Sequence, residues 1–241
     1  ILSVFFYALE KGTYEGMIDN MVRYSTGYIQ IQDVMFEEEP SMDHSLLFDD
    51  HIKEIINKHS ADISFYVPRI QNFALVATDR QSRAASVNGI DPEKEARMND
   101  LQNRLTEGSF ISGDSRDVML SGGLAERLNV STGDSIVLLG QGYQGTTAAG
   151  IYHVGGIIQL NIPEMNNSTI YMSLKEAQWF YAAEDRLTAV VLMPEDSAKT
   201  AQIAENIGSD IDKEWYRVLT WEHMLSDLLA RRKFDMAGTL L

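Results

Sequence analysis

The sequence predicts an α+β protein in which a β-rich segment interrupts a larger α+β part, with a helix at each end of the chain. Eleven of the 17 glycines lie between Gly108 and Gly156, and this density is typical of short strands joined by tight turns. The flanking residues instead alternate between the two-residue period of strands and the 3.6-residue period of helices. We therefore expect a discontinuous α+β part, residues 25–104 and 161–219, around an insertion at residues 105–160.

Composition limits the classes of function. A hydrophobic content of 44% in 241 residues is ample for a core. The formal net charge of −15 would repel a phosphate backbone and an anionic membrane surface, so nucleic acid is not an expected partner. The sequence contains no cysteine, which excludes a disulfide framework and a cysteine-based zinc or redox site.

Both ends of the sequence are apolar. Ile1–Leu9 is too short to span a bilayer and lacks the basic front of a signal peptide, and Phe234–Leu241 turns apolar again. Short apolar ends of this kind would be left if a domain between two transmembrane helices had been cut out of a longer chain. We therefore expect stalk helices at residues 1–24 and 220–241. The alternative is an ordinary domain with a buried first element and an apolar tail. The basic cluster Arg231–Lys233 counts against the first interpretation, because basic residues favour the cytoplasmic side.

The two flanking segments carry strand patterns and helix starts in alternation. Strands are expected at Gly27–Gln32, Ile63–Thr78 with a break at Pro68, Ala84–Ile90, Thr169–Met172, Thr188–Met193 and Tyr216–Leu219. Helix starts are indicated by the capping residues Asp49 or Asp50, Asp91 before Pro92, Ser173, Asp196 and Thr220. Glu37-Glu38-Glu39 is expected to be a solvated loop, with an acidic metal or partner site as the alternative.

The β-rich segment is expected to hold a short helix at Gly122–Leu128 and strands at Ser135–Leu139 and Ile151–Ile158. Gly140, Gly142 and Gly145 match the spacing of a dinucleotide-binding turn. A phosphate-binding turn must open a helix, whose N-terminal N–H groups hold the anion. The residues that follow lead into a strand, so the pattern favours a mobile glycine-rich hairpin tip over a nucleotide site.

Several stretches occur in an order that is typical of one family. They are Asn88–Glu95, Leu105–Gly108, Leu120–Asp134, His153–Ile157, Ile170–Trp179 and Trp221 before the final helix. Together they resemble the extracytoplasmic domain of ABC transporter permeases of the MacB, LolC/LolE and FtsX type. Gly89-Ile90-Asp91-Pro92-Glu93 followed by Leu105–Gly108 looks closer to the lipoprotein-releasing permeases than to the macrolide exporter.

The resemblance implies a fold and a location. In that family the domain lies between the first and second of four transmembrane helices and combines a porter-like α/β subdomain with an inserted β-rich subdomain called the sabre. For this chain it implies stalk helices at 1–24 and 220–241, a porter-like subdomain at 25–104 and 161–219, and a sabre-like insertion at 105–160. It also implies the periplasmic side of the bacterial inner membrane and a multi-pass full-length protein.

The function that the resemblance implies is mechanical and not chemical. A separate cytoplasmic ABC ATPase hydrolyses ATP, and the permease carries the movement to a periplasmic substrate or partner. The implied partners are that ATPase, a second permease copy or paralogue, and a periplasmic adaptor, chaperone or lipoprotein. Transmission is expected at stalk residues Leu9, Met17, Met21, Met224, Leu225, Leu228 and Leu229, although plain helix packing would also explain them. Contact with a partner or substrate is expected at Gln141, Tyr143, Leu160 and Ile162.

The sequence carries no enzyme motif, which agrees with this interpretation. The five histidines show neither H-x-H nor H-E-x-x-H spacing, and Ser121 lacks the G-x-S-x-G context of a nucleophile elbow. We therefore expect no catalytic, cofactor-binding or metal-binding residues. Two alternatives remain: a domain that holds its substrate directly on a sheet face, and a soluble periplasmic ligand-binding protein or enzyme unrelated to transport.

Overall fold

The computed structural model describes residues 21–22 and 26–226, which form twelve strands and seven α-helices. The strands are β1 (Ile29–Asp33), β2 (Leu46–Leu47), β3 (Ile63–Ala77), β4 (Ser82–Ile90), β5 (Leu105–Gly108), β6 (Val118–Ser121), β7 (Ser135–Gln141), β8 (Thr147–Ile158), β9 (Thr169–Ser173), β10 (Arg186–Leu187), β11 (Ala189–Pro194) and β12 (Tyr216–Thr220). The helices are α1 (Asp50–Lys58), α2 (Pro92–Met98), α3 (Gly122–Leu128), α4 (Pro163–Asn166), α5 (Leu174–Phe180), α6 (Thr200–Asp210) and α7 (Trp221–Met224). Within these residues, no helix is both long and apolar enough to cross a membrane.

An antiparallel sheet in the order β12-β1-β11-β3 is built from the two flanking segments of the chain. The buried Ile52 and Ile56 of α1 and Ile203 and Ile207 of α6 belong to the same core cluster as the β1 isoleucines. A separate small cluster joins Met98 of α2 to residues of β3 and β11. The predicted α+β fold is confirmed, because a large mixed sheet is combined with packed helices.

The strand β3 is long enough to serve two parts of the fold. Its first half pairs with β11, and its second half pairs with β4 on one side and β7 on the other. Pairing then continues from β4 to β9, from β9 to β6, from β6 to β8 and from β8 back to β7. These six strands close into a ring, which removes the exposed edges that an open sheet would leave.

The inside of this barrel is filled by side chains at alternate positions of its strands. Its buried lining is Ala74, Val76, Ala85, Val87, Val118, Leu120, Ile136, Leu138, Ala148, Tyr152, Val154, Ile170 and Met172. Leu124 and Leu128 of α3, together with Phe180 of α5, belong to the same cluster. The barrel is therefore a packed core and not a channel.

The strands of the predicted insertion are hydrogen-bonded to strands of the flanking segments. Antiparallel pairing joins β6 to β9 and β7 to β3, so residues 105–160 share a sheet with the rest of the chain. The subdomain boundaries themselves stay a prediction.

The predicted break at Pro68 is wrong, because β3 runs through it with Pro68 opposite Val190. Proline has no N–H to donate, so this pair must be a non-hydrogen-bonded one, with the Pro68 nitrogen facing away from β11. On that other side the ladder with β4 begins only at Arg69. The missing donor therefore costs the sheet no hydrogen bond.

Most of the predicted caps are confirmed. Side chains of Asp49, Asp91 and Ser173 accept hydrogen bonds from the first turns of α1, α2 and α5, and Asp196 caps the 3-10 turn that leads into α6. Thr220 occupies the predicted N-cap position of α7 but makes no side-chain capping bond. The glycine triplet Gly140, Gly142 and Gly145 leads from β7 into β8, as the hairpin interpretation expected.

Candidate functional site

The chain runs into β1 and out of β12 at neighbouring positions. These strands pair antiparallel, with Ile29 opposite Thr220. The Gly27 N–H donates to the Val22 carbonyl at 2.6 Å, and the Trp221 N–H donates to the Tyr28 carbonyl at 2.9 Å. We call the described residues 21–22, 26–28 and 220–226 the junction. The segment that precedes β1 and the segment that follows β12 therefore lie next to each other at this edge of the sheet.

Gly27 sets the direction in which the chain enters the sheet. Its φ is +64°, and an added Cβ would lie 2.1 Å from Cγ1 of Val191. A left-handed backbone and this close approach each favour glycine. The turn into β1 is therefore fixed by the packing of the neighbouring strand β11.

Three of the predicted transmission residues lie in the junction. Met21 and Met224 are half-buried, and Leu225 is buried. Val22, which is also buried, was not among the predicted transmission residues. Leu9, Met17, Leu228 and Leu229 lie outside the described residues.

An ionic cluster joins the acidic loop to the junction. The Glu37 carboxylate accepts a hydrogen bond from Arg217 Nη1 of β12 at 2.7 Å and lies 2.8 Å from His223 Nε2 of α7. Glu38 lies 3.7 Å from Arg217. The predicted solvated loop therefore holds the last strand and the helix that follows it. Sequence analysis missed this cluster because its members lie 180 and 186 residues apart.

Two predicted contact residues, Gln141 and Tyr143, lie at the tip of the β7–β8 hairpin. Gln141 is exposed, but the Tyr143 N–H donates to the Tyr181 carbonyl at 2.8 Å. The Arg186 guanidinium stands 4.2 Å from the centre of the Tyr143 ring. The Gln144 N–H donates to Asp43 at 2.5 Å. The tip is therefore bound to three other parts of the chain.

The other two predicted contact residues follow β8. Leu160 is buried in a second core cluster that includes Ile90, Leu101 and Tyr171. Ile162 is half-buried and precedes α4. Leu160 thus packs inside the protein, in a different cluster from the one against which Tyr143 packs. Whether any of the four residues contacts a partner stays a prediction.

Four large apolar side chains are exposed together on the outside of the barrel. Phe73 and Leu75 of β3, Leu139 of β7 and Ile151 of β8 are 64%, 42%, 42% and 73% exposed. Leu75 is opposite Leu139, and Ile151 is opposite Val137 of β7. We call Phe73, Leu75, Leu139 and Ile151 the apolar wall. Sequence analysis did not identify it, because its residues come from segments that the barrel brings together.

Two pairs of ionisable side chains lie in the interior. Arg69 of β3 and Glu95 of α2 form a buried ion pair, and Asn99 donates to the same carboxylate. The Tyr152 hydroxyl donates to Glu176 at 3.0 Å, and burial together with the charge of Glu176 raises the pKa of Tyr152. Among residues 21–22 and 26–226, no three histidine, aspartate or glutamate side chains gather as metal ligands would.

Comparison with known proteins agrees with this architecture. Residues 2–209 match the model of the MacB-like periplasmic core domain. The lipoprotein-releasing system transmembrane protein LolC of Neisseria meningitidis is 23% identical over 166 residues, which cover 65% of this chain and 39% of that protein. The chain therefore spans about two-fifths of the length of this relative.

Two solved structures share the fold. The periplasmic region of MacB from Actinobacillus actinomycetemcomitans superposes with a TM-score of 0.56 at 13% identity, over 87% of this chain and 95% of that one. The extracellular domain of the noncanonical ABC-type transporter YknZ from Gram-positive bacteria superposes with a TM-score of 0.54 at 13% identity. This match covers 80% of this chain and 100% of that one. The family match over residues 2–209 and this shared fold lead to one conclusion: the chain belongs to the MacB-like periplasmic core domain family of ABC transporter permeases.

Proposed function

We propose that this domain couples ATP-driven movement of membrane helices to the handling of a periplasmic substrate or partner. The observation that carries this proposal is the junction, where the chain runs into β1 and out of β12 side by side. Two helices that join one sheet at neighbouring strand ends would act on it as a pair. The ordered strands β1 and β12 would pass their displacement to the whole domain.

The ionic cluster around Glu37 supports this role. It links α7, β12 and the loop after β1, so a displacement of α7 would also pull on β1. The packed barrel at the far side of β3 would then move with the sheet as one body, since β3 belongs to both. In this proposal the domain performs no chemistry, and ATP hydrolysis takes place in a separate cytoplasmic ATPase.

The partners that we propose follow from family membership and from the LolC relative. They are the cytoplasmic ATPase, a second copy or paralogue of the permease, and a periplasmic adaptor, chaperone or lipoprotein. We propose that the full-length protein is a multi-pass protein of the inner membrane with this domain on its periplasmic side. A lipoprotein cargo is the finer part of the proposal, since the name of the relative refers to lipoprotein release.

A flexible insertion tests the coupling. In the full-length permease reconstituted with its ATPase, Gly-Ser-Gly-Ser is inserted after Leu225, and spin labels are placed at Gln202→Cys in both copies. Without the insertion, trapping ATP should change the distance between the two labels. With it, the change in distance should become smaller while ATP hydrolysis continues, because a flexible linker transmits no force and only the passage into β1 stays directly attached.

The matched control places the same insertion after Gly113, which lies in open space. This control should preserve the response to ATP. A response that is undiminished by the insertion after Leu225, or one that is absent from the unmodified permease, contradicts the proposed coupling.

A further inference from the structure

The apolar wall is unusual for a protein of this charge. No Asp, Glu, Lys or Arg occurs in residues 135–163, although 23% of the whole chain is charged. Eight large hydrophobic side chains are exposed among the described residues, and four of them form this wall. Scattered exposed hydrophobic residues are ordinary, whereas a contiguous apolar surface is typical of an interaction site.

A groove of about 970 Å³ lies beside the apolar wall. The β3–β4 turn at residues 78–81, the end of α3 and the first half of β7 enclose it, and Ile151 belongs to both the groove and the wall. Its charged lining residues are Asp79, Arg80, Glu126 and Asp134. Three of these four are acidic, and none forms an ion pair with another described residue. An apolar surface bordered by acidic groups that lack an ion-pair partner fits a partner whose apolar surface is bordered by basic ones.

The backbone of the wall indicates the shape of the partner. The strand β7 is paired on both sides, with β3 and with β8, so this surface offers side chains and no free strand edge. Three adjacent strands span roughly 10 Å between the outer two, which is close to the diameter of an α-helix, about 10–12 Å with its side chains. One helix therefore fits the width of the wall.

We propose that the apolar wall and its groove bind an amphipathic helix of a partner protein. The apolar stripe of the helix lies on Phe73, Leu75, Leu139 and Ile151, and its lysine or arginine residues face Asp79, Glu126 and Asp134. This inference rests on the proposed function, since it assigns a surface and a chemistry to the partner through which the domain acts.

Charge argues against two other occupants of the wall. A membrane-binding surface uses basic residues around its apolar centre, whereas the groove beside this wall is mainly acidic. A twofold contact between two copies would bury the same surface of each copy, so the acidic groups of both grooves would be brought into one interface in a protein of net charge −15. A basic helix is the occupant that the charge favours.

Synthetic peptides test the proposal on the 241-residue chain. The probe is a labelled peptide of about 18 residues, long enough for several helical turns, with leucine on one face and lysine on the other. One comparison peptide carries glutamate in place of lysine, and a second keeps the lysines but replaces leucine by serine. Binding is measured by fluorescence anisotropy at about 0.15 M salt, where long-range attraction is screened.

The leucine–lysine peptide should bind at least tenfold more tightly than either comparison peptide. Phe73→Ser combined with Ile151→Ser should weaken binding at least tenfold. The matched control Trp179→Ser removes a side chain that is 61% exposed elsewhere and should leave binding unchanged. Asp79→Asn combined with Glu126→Gln should weaken binding and reduce its salt dependence. Circular dichroism verifies that each variant is folded, and the exposed positions of these residues favour that outcome.

Four results would overturn this inference. The first two are equal peptide binding by the wall variant and the Trp179→Ser control, and equal binding of the lysine and glutamate peptides. The third is self-association of the chain in sedimentation that the wall variant abolishes. The fourth is binding to anionic phospholipid vesicles that is stronger than binding to the peptide and is lost in the wall variant. The distance between the two spin labels at position 202 tests the coupling role separately from the peptide measurement. A failure of the peptide test with an intact ATP response would reject the helix site and retain the coupling role.

Discussion

Replacing Glu95 by leucine tests the buried ion pair that attaches α2 to β3. The Arg69 and Glu95 side chains are 2% and 1% exposed. Arg69 Nε donates to Glu95 Oε2 at 3.1 Å, Arg69 Nη2 donates to Oε1 at 2.5 Å, and Asn99 Nδ2 donates to Oε1 at 2.6 Å. The substitution removes the carboxylate and leaves the guanidinium inside the protein.

The expected cost follows from this burial. Removing one partner of a buried ion pair typically costs about 3–5 kcal/mol, because the remaining charge is poorly solvated. We therefore expect Glu95→Leu to lower the free energy of unfolding by about 3–5 kcal/mol. Arg69→Met combined with Glu95→Leu removes both charges and should cost less than Glu95→Leu alone, since apolar pairs often replace buried ion pairs without loss.

Urea unfolding of the chain, followed by circular dichroism, measures these differences. Asp114→Ala is the matched control, because the Asp114–Lys175 ion pair is exposed on both sides and such pairs contribute little. The reasoning is refuted if Glu95→Leu shifts the urea midpoint no more than Asp114→Ala does. It is also refuted if the double variant is less stable than Glu95→Leu.

Three further predictions concern stability and pH. Gly27→Ala should lower the free energy of unfolding by about 2–4 kcal/mol, because the backbone at this position is left-handed and the added methyl group would contact Val191. In urea unfolding, adding Val191→Ala should recover part of this loss, and no recovery would contradict the contact. Hydrogen bonds from Lys58 and His59 lower the pKa of Asp210, so its contribution to stability is present above its unfolded pKa of about 3.9 and is lost as the pH falls through the lower folded value. Acid unfolding of Asp210→Asn should therefore depend less on pH than that of the parent chain, and identical pH profiles would contradict this. Burial raises the pKa of four of the seven tyrosines among residues 21–22 and 26–226. Three of these four side chains are buried, so stability should hold below about pH 10 and fall as the pH rises through their raised values, with their hydroxyls ionising in ultraviolet titration only as the chain unfolds; ionisation of these three in the folded chain would contradict it. The three buried tyrosines are Tyr152, Tyr171 and Tyr181.

Sequence patterns predicted the local elements because their signals are local. Asp49, Asp91 and Ser173 cap their helices through residues two or three positions away, and the glycine triplet was correctly assigned to a hairpin because no helix pattern follows it. Gly122–Leu128 is a helix with the predicted bounds. Capping residues, turn residues and hydrophobic periodicity can each be recognised within a short stretch of sequence.

The candidate site required contacts that no short stretch contains. Closure of the barrel pairs Leu75 with Leu139, and the junction cluster joins Glu37 to Arg217. The apolar wall left a partial signal, because β7 is apolar at consecutive positions, with Leu138 buried and Leu139 exposed. A run that is apolar on both faces is usual for a strand buried on both sides, so the sequence alone did not distinguish an exposed apolar face from a buried one.

Hydrogen exchange at the junction tests the coupling role most directly. In the full-length permease with its ATPase, amide exchange would be compared between the nucleotide-free and ATP-trapped states for peptides that cover residues 26–33 and 216–226. Our account predicts that both peptides change together, because β1 and β12 are paired there, and that the barrel strand β7 does not change. If ATP is trapped and neither peptide changes, or if only one of them does, the junction does not carry the movement and the proposed coupling is wrong.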